Sequence, residues 1–174
     1  MNEGRLPQGW PYRQRCHATN NKGSVTGTYY DSAGDVHGWL LDGGKYYAFN
    51  DPTGCKCDTR SDGINDKGWV TGLYLDSADT QHGFTKKGTK YTRIDAPGDT
   101  STDVYGINNA GDMTVFAINS SGDYDAFIYN GKKFTTTLAQ QKAAGRRREI
   151  SVWLLRPLQA RLAGSKRRSA EIYL

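Results

Sequence analysis

The sequence contains no run of about 18 apolar residues, the least that a membrane-crossing helix needs. No apolar stretch follows the opening Met1-Asn2-Glu3-Gly4-Arg5, so no classical signal peptide is read here. On that basis either the protein stays inside the cell or the chain lacks its natural beginning. Cysteine is scarce, with only Cys16, Cys55 and Cys57. The C-x-C spacing is short for an unstrained bridge, and a structural zinc site needs more ligands. Cys16 could pair with one of the other two, but three free thiols are the expectation. A Gly-rich phosphate loop, a G-x-S-x-G elbow and an H-E-x-x-H helix are all missing, so no catalytic residue is assigned from motifs.

What is present is glycine, 21 residues of it, and 11 tyrosines in a chain of 174. That mixture suits short strands joined by tight turns rather than a helix bundle. One pattern recurs three times. Asn20-Asn21-Lys22-Gly23 precedes Ser24-Val25-Thr26-Gly27-Thr28-Tyr29, Asn65-Asp66-Lys67-Gly68 precedes Trp69-Val70-Thr71-Gly72-Leu73-Tyr74, and Asn108-Asn109-Ala110-Gly111 precedes Asp112 to Ile118. From Gly23 to Gly68 is 45 residues and from Gly68 to Gly111 is 43, a period typical of repeat architectures.

Within each unit the order is the same. A strand follows the Gly turn, then come a polar turn, a return strand and a third strand. The polar turns are Asp31 to Asp35, Asp76 to Asp79 and Asn119 to Asp123; the return strands are Val36 to Leu41, Gln81 to Thr85 and Tyr124 to Tyr129. Asn130-Gly131 between two alternating runs is a strong hairpin signal, because both positions tolerate positive φ. Counting the short run ahead of each Gly turn, every unit holds up to four antiparallel strands in meander order, as a β-propeller blade does. The fold class read from this is all-β, with three tandem propeller-like units that do not close a ring. The unit bounds are 17–62, 63–105 and 106–139. Trp39, Phe84 and Phe127 fall at equivalent positions and are the expected core, with Tyr47, Thr92 and Thr135 beside them.

The run Asn-Asn-x-Gly, then Val-x-Gly-x-Tyr, then His82-Gly83-Phe84 with its variants His37-Gly38-Trp39 and Asp125-Ala126-Phe127, then Ile94-Asp95-Ala96-Pro97-Gly98, resembles the HAF-type extracellular repeat of bacterial proteins over residues 17–139. The resemblance implies a secreted or surface-exposed protein of tandem β units. It brings no chemistry with it.

Outside the repeats, residues 1–16 read as a lead-in or partial blade. Residues 140–174 change character: they carry 9 Lys+Arg against 2 Asp+Glu, whereas residues 1–139 carry 14 against 16. Three readings stay open for this basic segment, which are a cap, a tail touching anionic lipid or nucleic acid, and the product of a shifted reading frame. Without aromatic interleaving, nucleic acid is not the expected partner.

The candidate ligand-facing residues are those of the polar turns and the recurring histidines: Asp31, Asp35, His37, Asp76, Asp79, His82, Asn119 and Asp123. Each histidine recurs with its unit, which points to local pairing with Asp31 or Asp35 and with Asp76 or Asp79, rather than to catalysis. The turns have a calcium-loop flavour but too few oxygen ligands, so no cofactor is expected, with calcium the one left open. The function read from all this is a non-enzymatic module that presents loops to a glycan or protein. The alternative is a fragment of a polysaccharide-active propeller enzyme. Open sheet edges are a route to self-association.

Overall fold

A computed structural model describes residues 13–55 and 58–136. The readings on residues 1–12 and 137–174 lie outside it. The described residues form no helix, and so none long and apolar enough to cross a membrane. They form twelve strands in three four-stranded antiparallel sheets. Sheet 1 is β1 (Arg13–Thr19), β2 (Val25–Tyr30), β3 (Val36–Asp42) and β4 (Lys45–Phe49). Sheet 2 is β5 (Thr59–Ile64), β6 (Val70–Leu75), β7 (Gln81–Lys87) and β8 (Lys90–Ile94). Sheet 3 is β9 (Asp99–Ile107), β10 (Met113–Asn119), β11 (Tyr124–Tyr129) and β12 (Phe134–Thr136). Each sheet is a meander, as the all-β reading required, and the three make an open stack. Each begins with the short strand ahead of its Gly turn.

The Asn-x-x-Gly sequences make turns with the same backbone hydrogen bonds, although in the third Asn108 Oδ1 accepts the amides of Gly111 and Asp112. Asn65 Oδ1 accepts the amides of Lys67 and Trp69, both at 3.0 Å, and Gly68 closes the turn at φ +71°, where a side chain would be strained. Asn20 does the same for Lys22 and Ser24. In all three sheets the leading strand carries a bulge directly before this turn, centred on His17, Asp62 and Tyr105. A bulge re-aims side chains at a sheet edge.

The sheets pack face to face. The β2–β3 face of sheet 1 meets sheet 2, as Thr26 Oγ1 donating to Ser61 Oγ at 2.9 Å and the edge-on Phe49–Phe84 pair show. The corresponding face of sheet 2 meets sheet 3, where a Cβ added at Gly83 would come within 2.6 Å of Val104. Trp39, Phe84 and Phe127 are buried, as expected. The third-strand partners are not: Tyr47 is 50% exposed, Thr92 is exposed and Thr135 is half-buried. The side chains that complete the core stand one residue earlier, in the pairs Trp39–Tyr46, Phe84–Tyr91 and Phe127–Phe134, with ring centres 5.7, 5.8 and 5.7 Å apart. A strand alternates faces residue by residue, so an offset of one inverts the assignment. The expectation of three free thiols is also corrected. Cys16 is free and exposed, whereas Cys55 is disulfide-bonded, its amide tied to Leu75 O at 2.9 Å on β6, away from β1.

Candidate functional site

The polar turns between the second and third strands are closed by their first residue. Asp31 Oδ1 accepts the amides of Ala33 and Asp35, Asp76 Oδ1 those of Ala78 and Thr80, and Asn119 Oδ1 those of Ser121 and Asp123. The carboxylate oxygen offered to calcium in the sequence reading is thus engaged in Asx-turn geometry. Asp35, Asp79 and Asp123 complete these turns through their backbones, with Asp79 at φ 59° where its counterparts are glycines.

The free oxygen of each leading residue meets the histidine. His82 Nε2 lies 3.1 Å from Asp76 Oδ2, and Nδ1 lies 2.9 Å from Asp95 Oδ1. His37 makes the same bridge from Asp31 (3.2 Å) to Asn50 (2.8 Å). Asp31 and Asp76 are therefore the partners, and Asp35 and Asp79 are not. His82 is 4% exposed and has a carboxylate oxygen against each of its two ring nitrogens. The hydrogen bond from His82 holds the Asp76 carboxyl down to about 2, aided by the amides of Thr80 and Ala78. In sheet 3 the chemistry is inverted: Asp125 stands at the histidine position and receives Asn119 Nδ2 at 3.5 Å.

Asp76 also lines a cleft of about 450 Å³ between sheet 2 and the connection that leads into it from sheet 1. The β4–β5 connection contributes Asp51, Pro52 and Thr53, β6 and its turn contribute Tyr74, Asp76 and Ser77, and β8 with its turn contributes Thr89, Tyr91 and Arg93. Asp51 is 2% exposed, and its Oδ1 accepts both the amide (2.9 Å) and the hydroxyl (2.6 Å) of Thr53. Burial and the Asp51 charge push the Tyr91 phenol up to about 12, so it stays a neutral hydroxyl. Arg93 pairs with Asp95, the carboxylate on the far side of His82. A chain of contacts thus runs Asp76–His82–Asp95–Arg93, with its two ends on the cleft.

The repeat provides an internal control. At the next seam the equivalent positions hold Ala96, Pro97, Gly98, Ala117, Asn119, Ser120, Lys132, Phe134 and Thr136. The framework persists: Asp51 N donates to Thr59 Oγ1 at 3.1 Å, and Ala96 N donates to Thr102 Oγ1 at 3.0 Å. The buried carboxylate, both tyrosine hydroxyls and the guanidinium are gone. Folding the repeat does not require them. Sequence reasoning reached Asp76 and His82 but missed Asp51, Tyr74, Tyr91, Arg93 and Asp95. The signal lay in the departures of the second seam from the first.

A second cluster lies on the leading strands β1, β5 and β9, which contact one another in order. His17 Nδ1 is 2.8 Å from Asp62 Oδ1, and Arg60 is held by Asp58 at 3.1 Å. Asp103 is 5% exposed; burial and then the Asp62 charge push its carboxyl well above the usual range. Asp62 Oδ2 and Asp103 Oδ1 have no hydrogen-bond partner. Among the described residues, no three or more His, Cys, Asp or Glu are arranged to hold a metal.

No family model matches the chain, and no curated protein matches it.

Proposed function

We infer that the chain is a binding module of HAF-like repeats, presented outside the cell, which takes a glycan in the cleft between the β4–β5 connection and sheet 2. The observation that carries this reading is the loss of Asp51, Tyr74, Tyr91 and Arg93 from the equivalent positions of the second seam. Sugar recognition calls for an aromatic face against ring C–H groups and fixed polar groups around it. Tyr91 supplies the first, and Asp76 with Arg93 the second. His82 is a positioning residue that sets Asp76. The extracellular placement comes from the repeat resemblance alone. The test is a glycan array followed by calorimetry. Arg93→Ala should weaken binding by about tenfold, the loss of one charge-assisted contact, and Phe134→Ala at the other seam should leave affinity unchanged. An array with no hits, or equal effects of the two variants, would sink the reading.

A second reading is the enzyme alternative, supported by the buried Asp103, whose carboxyl is pushed well above the usual range by burial and then by the Asp62 charge. Glycoside hydrolysis uses one carboxylic acid and one carboxylate. Hydrolysis of a polysaccharide by the wild-type protein, abolished in Asp103→Asn, would decide for it.

A further inference from the structure

The charged side chains of the three sheets are segregated by end. Successive turns of a meander alternate between the two ends of its sheet. The Asn turns of all three sheets lie side by side at one end, where Asn20 Nδ2 donates to Asn65 O and Asn65 Nδ2 to Asn108 O, both at 3.0 Å. The hairpins between third and fourth strands fall at that same end. All eight lysines among the described residues stand there. Lys22 and Lys67 are in Asn turns, and the other six are in the hairpins or at the strand ends that flank them. The polar turns and sheet-to-sheet connections at the other end hold eight aspartates and, among the described residues, no lysine.

The lysines lack acidic partners. No ion pair among the described residues involves one. The three aspartates at their end are taken by neutral donors: Ser24 Oγ on Asp42 at 2.7 Å, Asn21 and Asn109 on Asp66, and Asn108 on Asp112 at 3.0 Å. Seven of the eight lysines are exposed, so packing does not dictate them. Soluble surfaces usually intersperse the two signs, which makes eight uncompensated ammonium groups at one end unusual. Three of them are already held in place. Lys87 Nζ and Lys67 Nζ lie 3.6 and 5.0 Å from the Trp69 ring centre, and Lys86 Nζ lies 5.1 Å from that of Phe49. Cations fixed in this way lose less entropy when a ligand arrives. Burial lowers the Lys86 pKa, and an anion beside it would offset that.

We propose that the lysine end of the stack binds an anionic polysaccharide, laid across the turns and hairpins of the three sheets. This surface is separate from the cleft, which no lysine lines. Two observations favour a polysaccharide over other polyanions. The cations at this end are all lysine, whereas phosphate and nucleic-acid recognition favours the arginine fork. The Trp69 ring is occupied by lysines rather than left as a platform for bases. A membrane surface fits less well, since the exposed large apolar residues, Tyr47, Tyr105 and Ile128, lie within strands and not in these turns.

The test uses the full chain and alginate, a polyuronate, as the probe. Calorimetry should show binding that weakens steeply with added salt, and none to neutral dextran. Lys67→Gln with Lys87→Gln should weaken it by on the order of tenfold or more. Lys90→Gln with Lys132→Gln, at lysines that stand over no aromatic ring, should do the same. Ser32→Asp with Ser121→Asp makes an equal change in net charge in the exposed turns of the other end and should leave affinity within about twofold. Equal losses from the lysine and aspartate pairs would reduce the effect to net charge and overturn the proposal. Unchanged affinity in both lysine pairs would place the anion elsewhere, as on the basic residues 140–174, and overturn it too. So would tighter binding to duplex DNA or to phosphatidylglycerol vesicles, or no binding to alginate.

Discussion

At the scale of the residue, the recurring histidines show how a repeat converts one side chain into a brace. His82 joins the turn at Asp76 to the loop at Asp95, and His37 joins Asp31 to Asn50. Asp76 carries the measurable consequence. Its folded-state pKa of about 2 lies below the 3.8 of the unfolded chain. Its stabilising contribution is therefore complete above the unfolded value and is lost as pH falls through about 4 toward 2. In Asp76→Asn, which keeps the Oδ1 that closes the turn, the melting temperature should fall less steeply over that window than in wild type. Parallel curves would show that the brace does not depend on the Asp76 charge. Glycine sets a separate constraint. A Cβ at Gly72 would lie 1.9 Å from Arg60 O on the neighbouring strand, so Gly72→Ala must displace backbone. Overpacking of that kind costs about 1–3 kcal/mol, readable as a lower urea midpoint; an unchanged midpoint would mean that β5 can give way.

At the scale of the element, the Asn-x-x-Gly turn has two functions that sequence alone merges. The side-chain oxygen of Asn65 closes the local turn, and its NH₂ group reaches the Asn108 carbonyl of the next sheet. Substitution separates them. Asn65→Asp keeps the acceptor and loses the inter-sheet donor, at a cost of about 1 kcal/mol. Asn65→Ala loses both the inter-sheet donor and the acceptor of two amides, at about 2 kcal/mol. Equal costs in chemical denaturation would refute the division of labour. The turns, the strand order and the Trp39, Phe84, Phe127 row were legible because they depend on local patterns that recur. The third strand was misread because Lys45-Tyr46-Tyr47-Ala48-Phe49 has aromatics in both phases, and only packing against Trp39 selects Tyr46. The cleft was not legible as a motif, since its walls come from three separate segments. Only Asp76 among the eight turn candidates lines it, and Asp51, Tyr91 and Arg93 stand out only against Ala96, Phe134 and Thr136.

At the scale of the whole molecule, sheet 2 lies between sheets 1 and 3, so the two interfaces share one element. In a stack of this kind stability is a sum of sheet terms and nearest-neighbour terms. Phe84 sits in the first of those interfaces, fully buried against Phe49 and Tyr91. Removing its ring by Phe84→Ala should cost about 3–5 kcal/mol, a large share of the 5–15 typical of a domain. Tyr47→Ala, at a half-exposed side chain one sheet away, should stay within about 0.5 kcal/mol. The shape of the transition is the more telling observable. If the three sheets are one cooperative body, Phe84→Ala shifts a single urea transition to lower concentration with its slope unchanged. If the seam between sheets 1 and 2 is instead a weak joint, the variant shows two transitions, with sheet 1 released first. The cleft lies between the β4–β5 connection and sheet 2, so a ligand held there ties that connection to sheet 2 and should raise the midpoint of the transition in which they part.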